Sequence, residues 1–228
     1  MTYCISDIHG CYELFLRLMD KIKFGGGDTL YVLGDIVEKG PDSIRLAKLL
    51  FSMPNAVCIM GNHEYDFLKF CRGLMRATRD FDSVFTSLRA YFTDGELLDW
   101  ETVDNFDLLP FYAETEDFIG VHAGVPVVEG KLTHPSEATS EQLVYDRRFK
   151  DPDVLPKGGK CVFFGHTPVR NLTGRDEILL YPRSESKRGS GDIRDYAKVH
   201  FDTGVFHSGV LGCIQMETCQ TFYVKEEY

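Results

Sequence analysis

The chain has 228 residues, 43% of them hydrophobic, with a formal net charge of −10 and a pI near 5.2. That length can bury one substantial core, so the expectation is a single domain over residues 1–228. The acidic balance argues against nucleic acid as the main partner, because no basic excess is available to release counterions.

No apolar run approaches the ~18 residues of a membrane span, and the first chemically suggestive motif begins at Asp7, with no room ahead of it for a signal peptide. A cytoplasmic protein with no membrane partner is expected. The cysteines, Cys4, Cys11, Cys58, Cys71, Cys161, Cys213 and Cys219, are odd in number, lack C-x-x-C spacing and fall partly inside apolar runs. They read as reduced structural thiols.

In chain order, the apolar runs Tyr3-Cys4-Ile5, Leu30-Tyr31-Val32-Leu33 and Val57-Cys58-Ile59-Met60 predict buried strands. Between them, Phe15, Leu18, Met19 and Ile22 recur at helical spacing. Pro41 reads as the first-turn proline of a helix carrying Ile44, Ala47 and Phe51. The Gly25-Gly26-Gly27 run has no Walker lysine after it and reads as a turn.

From His63 to Phe92 the pattern is helical, interrupted at Asp80-Phe81-Asp82, and the acidic stretch Asp94 to Leu109 predicts a cap or side layer without chemistry of its own. Strands return at Phe118-Ile119-Gly120-Val121 and Cys161-Val162-Phe163-Phe164, then at Lys198–Asp202, Val210–Gln215 and Thr218–Val224. A long connection between His166 and Asp202 contains Arg170, Arg175, Arg183, Lys187, Arg188 and Arg194. It reads either as a solvated loop or as a basic flap over an anionic site.

Four short stretches carry the chemistry: Asp7-Ile8-His9-Gly10, Gly34-Asp35 closed by Gly40, Gly61-Asn62-His63-Glu64, and His122 followed by Gly165-His166-Thr167. Asp7, Asp35, Asn62, His122 and His166 each fall just past the end of a predicted strand, where open α/β sheets place their ligands. Carboxylate, imidazole and amide oxygen suit Mn, Fe, Zn or Mg, whereas an all-thiolate set would indicate structural zinc or an iron–sulfur cluster. A single carboxylate between two metals can hold them about 3.5–4 Å apart and share a water between them. Asp35 is the natural bridge. His134 and His200 lie outside these motifs and read as surface or strand residues, while His207, near a strand end, could line the pocket.

From Asp7 to Gly204 the sequence resembles the calcineurin-like metallophosphoesterases, and most closely their phosphoprotein phosphatase branch, including bacterial and bacteriophage-lambda-type Ser/Thr phosphatases. The branch resemblance rests on Pro168, which stands where many nuclease and phosphodiesterase members have a second histidine. It implies an α/β fold of four layers, a two-sheet β-sandwich flanked by helices. It implies two divalent ions, Mn first, held by Asp7, His9 and Asp35 on one side and by Asp35, Asn62, His122 and His166 on the other.

By the same resemblance His63 is the general acid, Glu38 orients it, and Lys39 and Arg147 grip phosphate, with Arg148 a rival to Arg147. The implied reaction is in-line attack of a metal-activated hydroxide on phosphorus. The predicted site is locally positive: two ions give about +4, the carboxylates Asp7, Asp35 and Glu38 with a hydroxide about −4, and Lys39 and Arg147 about +2.

The family's usual motif is Gly-Asp-x-x-Asp-Arg-Gly, whereas this chain has Gly34-Asp35-Ile36-Val37-Glu38-Lys39-Gly40. Glu38 and Glu64 favour a phosphoserine or phosphothreonine substrate over the alternative, a symmetrical diadenosine tetraphosphate hydrolase, in which a small or amide residue and an Asp tend to stand at those places. The expected substrate is a phosphorylated protein or a small phosphate ester. A non-catalytic scaffold is disfavoured because every ligand position is filled.

Overall fold

The computed structural model describes residues 1–226. In chain order the elements are β1 (Thr2–Ile5), α1 (Tyr12–Ile22), β2 (Thr29–Val32), α2 (Ser43–Ser52), β3 (Ala56–Cys58), α3 (Asn62–Ala77), α4 (Phe81–Arg89), α5 (Trp100–Asp107), β4 (Tyr112–Glu114) and β5 (Phe118–Val121). A small ladder of β6 (Val127–Val128) and β7 (Lys131–Leu132) follows, then α6 (Ser140–Tyr145), β8 (Cys161–Phe164), α7 (Arg170–Thr173), β9 (Leu179–Pro182), β10 (Tyr196–His200), α8 (Val205–Ser208), β11 (Val210–Gln215) and β12 (Gln220–Lys225).

Two mixed five-stranded sheets form the frame, ordered β12-β11-β1-β2-β3 and β4-β5-β8-β10-β9. β1, β2 and β3 run parallel, as do β5, β8 and β10, while β11, β12, β4 and β9 join by antiparallel pairing. The parallel strands of both sheets therefore end near one rim.

Strand alternation sorts the core into layers. On β1, Tyr3 and Ile5 face α1 and α2 within a cluster that also holds Phe15, Leu18 and Ile44. Cys4 faces the other way, into the inter-sheet layer with Leu33, Phe118, Phe163, Val199 and Ile214. Val162 and Phe164 of β8 point to the outer side of the second sheet and pack with Leu143 and Phe149. This is the expected pair of sheets flanked by helices.

Local differences from the sequence reading have identifiable causes. Helix α2 starts at Ser43 with Asp42 as cap residue, so Pro41 lies ahead of the helix rather than in its first turn. The open amides of that end, Ile44 N–H and Arg45 N–H, donate to Asp94 Oδ2 at 2.9 and 3.0 Å. The acidic stretch thus has a definite structural task, invisible without the tertiary fold. Helix α6 was not anticipated, although Thr139 and Gln142 form a capping box at its start. The His166–Asp202 connection is also more ordered than a solvated loop, because Leu179–Pro182 adds an antiparallel edge strand to β10.

Candidate metal and phosphate site

The site is built from the loops leaving the parallel strands. Asp7, His9, Asp35 and His166 all have left-handed backbones, with φ of 52°, 51°, 52° and 71°, and Glu38 and Lys39 follow at 66°. A non-glycine residue there costs about 1 kcal/mol or more, and such strain concentrates at functional sites. The conformations are over-determined by backbone bonds between the first two loops: Asp7 N to Gly34 O, His9 N to Asp35 O, Gly10 N to Ile36 O and Gly40 N to His9 O, at 3.2, 2.9, 2.7 and 2.9 Å. The second and third loops cross in contact. A Cβ on Gly34 would lie 2.5 Å from Gly61 Cα, so only glycine permits the approach.

Two compact donor groups result, His9–Asp35–His63 and Asp35–His122–His166, with ligand atoms in each within 4.8 Å of one another. Asp35 belongs to both. Its Oδ2 lies 3.6 Å from His9 Nε2 and 3.7 Å from His63 Nε2, and its Oδ1 lies 3.3 Å from His122 Nε2. Asn62 Oδ1 lies 3.0 Å from His122 Nε2 and 2.8 Å from His166 Nδ1. All six sequence-predicted ligands converge on this rim. One membership differs: Asp7 is outside the compact groups, its carboxylate accepting the His166 N–H at 3.1 and 3.0 Å and the Ser6 hydroxyl.

The donor set fits divalent cations. His9 Nδ1 faces Val37 O at 3.2 Å and His122 Nδ1 faces Leu33 O at 2.8 Å, so each ring donates from Nδ1 and turns its Nε2 toward Asp35. Where His122 Nε2, Asn62 Oδ1 and Asp35 Oδ1 crowd together, a positive charge must lie among them, either a proton on His122 or a bound cation that takes its place. Nε2 of His166 is buried without any hydrogen-bond partner.

Burial pushes His9 down to about 4 and His166 to about 3, keeping both imidazoles neutral and able to ligate. Burial also opposes charge on His122, but Asp35 and Asp7 outweigh it and raise the ring to about 10. Conversely, burial works against ionised Asp35, and His122 overcomes it to hold that carboxyl well below its ordinary value. Asp7, where burial dominates, rises to about 6.

His63, expected from the sequence to be the acid, has its Nδ1 bonded to Glu38 Oε2. Burial depresses this imidazole, and the Glu38 bond together with Asp35 more than compensates, so its pKa is raised. Glu38 also bonds Tyr91, which lies just past α4 and packs against Phe67 and Phe70 of α3. Lys39 Nζ donates to His9 Nε2 at 2.7 Å. The lysine therefore sits against a predicted ligand atom as well as on the rim of the cavity.

That cavity, of about 300 Å³, is lined by His9, Lys39, Arg147, His166, Asp202 and His207, with half-exposed Phe206 at its edge. The Arg147–Arg148 ambiguity is resolved by position: Arg147 lines the cavity, while exposed Arg148 forks onto Asp146. His207 lines the cavity as well. His134 pairs with Glu114 at the surface, and His200 is a buried strand residue stacked on Phe164.

The flap reading of the basic connection is not supported. Arg170 pairs with Asp176, Lys187 with Asp195, Arg188 with Glu185 and Arg194 with Asp192, and none of these cations lines the cavity.

The sequence profile of the calcineurin-like phosphoesterase family matches residues 2–204. The chain belongs to this family. Among curated relatives, "Bis(5'-nucleosyl)-tetraphosphatase, symmetrical" of Delftia acidovorans is 35% identical over 54% of this chain and 44% of its own length. The protein of the same name from Buchnera aphidicola is 34% identical over 63% of this chain and 56% of its own. The chain thus matches about half the length of these relatives. A solved structure provisionally described as a diadenosine tetraphosphatase covers 98% of this chain and 92% of its own at a TM-score of 0.66 and 19% identity, a likeness of fold.

Calcineurin-like phosphoesterases use divalent metals, and the two Asp35-sharing donor groups are this member's candidates. Two buried carboxylates of the site escaped the sequence reading as site residues. Glu64 accepts four backbone N–H groups, from Gly61, Asp35, Ile36 and Val37, at 2.8–3.0 Å, and is fully buried. It clamps the Asp35 loop to the start of α3. Its spacing three residues after Gly61 is a helix-capping signal. Asp202, just past β10, obeys the same strand-end rule as the other site residues; burial, with Asp7 and Asp35 nearby, raises it well above the carboxylate range. For Tyr91 no sequence signal existed.

Proposed function

We propose that this family member is a metal-dependent hydrolase of symmetrical dinucleoside tetraphosphates, cleaving a phosphoanhydride bond by attack of water on phosphorus. The observation that carries the substrate class is the likeness to curated symmetrical tetraphosphatases, whose names state that substrate. It is strengthened by the fate of the residues that had pointed to phosphoproteins. Glu64 is spent on four backbone amides and does not face the cavity, so its identity reads no substrate. Glu38 is engaged by His63 and Tyr91 and serves either chemistry. Phosphoserine or phosphothreonine hydrolysis is the second reading, favoured by Pro168 in place of a further histidine.

Two divalent ions, Mn first and Fe, Zn or Mg as alternatives, would be held by Asp7, His9 and Asp35 and by Asp35, Asn62, His122 and His166. When bound, they supply Lewis acidity toward phosphate oxygens and a water of lowered pKa. The protein's own residues complete the chemistry. Arg147 and Lys39 offer cationic donors to the phosphate, Arg147 as a planar two-point fork and Lys39 as a point charge. His63, whose pKa the Glu38 bond helps raise, gives a proton to the departing oxygen, and Glu38 stabilises the ring's orientation throughout.

The deciding experiment compares kcat/KM for diadenosine tetraphosphate with that for a phosphothreonine peptide, in Mn and after chelation. The tetraphosphate should be preferred, and chelation should abolish turnover. A preference for the peptide would establish the second reading, and full turnover in metal-free buffer would reject both. Failure to bind any divalent ion would revive a scaffold role.

A further inference from the structure

Among the described residues one lysine is completely buried. Lys198, on the outer face of β10, has a relative exposure of 0%. Its register partner is Val162 of β8, so it points with Val162 and Phe164 into the outermost core layer rather than between the sheets. An ammonium in such a layer is costly unless every donor is used. Here each of its three N–H groups has an acceptor: Phe149 O at 2.7 Å, Asp151 O at 2.6 Å and Val154 O at 2.8 Å. Three rings surround the charge, Tyr181, Phe149 and Phe164, at 4.5, 5.0 and 5.7 Å.

A leucine or methionine would fill the same volume without the desolvation cost. The lysine is distinguished by what it holds. All three acceptors belong to one turn, residues 149–154, and Phe149 lies two positions beyond Arg147. On the other side the same segment is tied by Tyr145, whose hydroxyl donates to Asp66 at 2.6 Å. Arg147 thus enters the cavity from a short stretch pinned at both ends.

We propose that Lys198 is a positioning residue for the anion site: its caged ammonium fixes the 149–154 turn and thereby holds Arg147 in the cavity. The inference rests on Arg147 gripping phosphate, the reading given above. Aligning a guanidinium fork in advance saves the side-chain and loop ordering that binding would otherwise demand. Lys198 touches no substrate and acts only through Arg147.

The test uses the full chain loaded with Mn, inorganic phosphate as the competitive probe, and p-nitrophenyl phosphate as the turnover substrate. Arg147→Ala, Lys198→Met and the double variant are compared by phosphate inhibition constant, KM and kcat, with folding checked by circular dichroism. Arg147→Ala should weaken phosphate about tenfold, equivalent to about 1.4 kcal/mol. Lys198→Met should weaken it to a similar extent, with the larger change in KM, and the double variant should be no worse than Arg147→Ala alone.

Unchanged phosphate affinity in Lys198→Met, or effects that multiply in the double variant, would overturn the proposal while leaving the function intact. No effect of Arg147→Ala would instead reject the anion role of Arg147, and the proposal with it. Should Lys198→Met not fold, Lys198→Gln, with a shorter stem and one donor fewer, should weaken phosphate about threefold. Wild-type affinity in that variant counts against the proposal equally.

Discussion

Two segments of this chain are rich in charge, and they use it in opposite ways. In the 34–40 loop, Asp35 is almost wholly buried, and Glu38 and Lys39 are drawn from left-handed backbone positions toward His63 and His9. In the 170–194 segment Arg170, Lys187, Arg188 and Arg194 pair with carboxylates within eight positions in sequence, and only Gly174 and Gly189 take positive φ. Exposed pairs of that kind contribute about 0–1 kcal/mol and are screened by salt. A buried carboxylate facing imidazoles on two sides cannot relax in that way. Charge density therefore does not mark the site; charge held under strain and out of water does.

The strongest test of this contrast is at Asp35. Because its two oxygens face different donor groups, Asp35→Asn should abolish turnover and divalent-ion binding together, the latter read by titration calorimetry. His63→Asn, a neighbour in the same centre, should retain the ions while kcat falls by roughly 10²–10⁴-fold, the range for general acid–base catalysis. Equal loss of metal in both variants would remove the distinction between ligand and acid.

Lys39 gives the next largest effect. Lys39→Ala should lower kcat/KM at least tenfold, or about 1.4 kcal/mol of transition-state stabilisation, and Lys39→Arg should preserve or improve it by restoring the fork. An alanine variant indistinguishable from wild type would show that the contact with His9 is incidental.

The Glu38–His63 pair predicts a pH effect with a definite sign. Glu38 helps raise the imidazole pKa against burial, and a general acid works only while protonated, so activity falls as pH rises through that pKa. Glu38→Gln removes the raising partner and leaves burial in control. The alkaline limb of the kcat profile should move to lower pH, and an unmoved limb would assign the acid elsewhere.

The smallest effect is expected in the other segment. Arg188→Ala and Arg194→Ala, which break exposed local pairs, should change kcat/KM by less than about twofold at moderate ionic strength. A large loss in either would restore the flap reading and undo the contrast.

The legibility of the chain divides along the same physical line. The strands were readable because runs of three or four largely apolar residues bounded by turn residues leave few alternatives, and Asp7, Asp35, Asn62, His122 and His166 were readable because each follows such a run. Local grammar also carried the helical stripe of Phe15, Leu18 and Ile22, whose 3.6-residue spacing matches the face buried in the core. By itself, then, the sequence determined the layered α/β frame, the family and the convergence of Asp7, His9, Asp35, Asn62, His122 and His166 on one rim.

What it could not determine depends on which distant groups meet. Arg147 and Arg148 are adjacent and chemically identical, so only the tertiary structure decides that Arg147 enters the cavity while Arg148 turns to Asp146. Glu64 appeared to be a mark of substrate class until its carboxylate was found beneath four amides of two loops. Tyr91 reaches Glu38 from 53 positions further along the chain, and Lys198 finds its acceptors at positions 149, 151 and 154. A periodic pattern reports which face of an element leaves water; it carries no record of the unpaired donors and acceptors waiting on the other side, and those partnerships come into being only when the layers close.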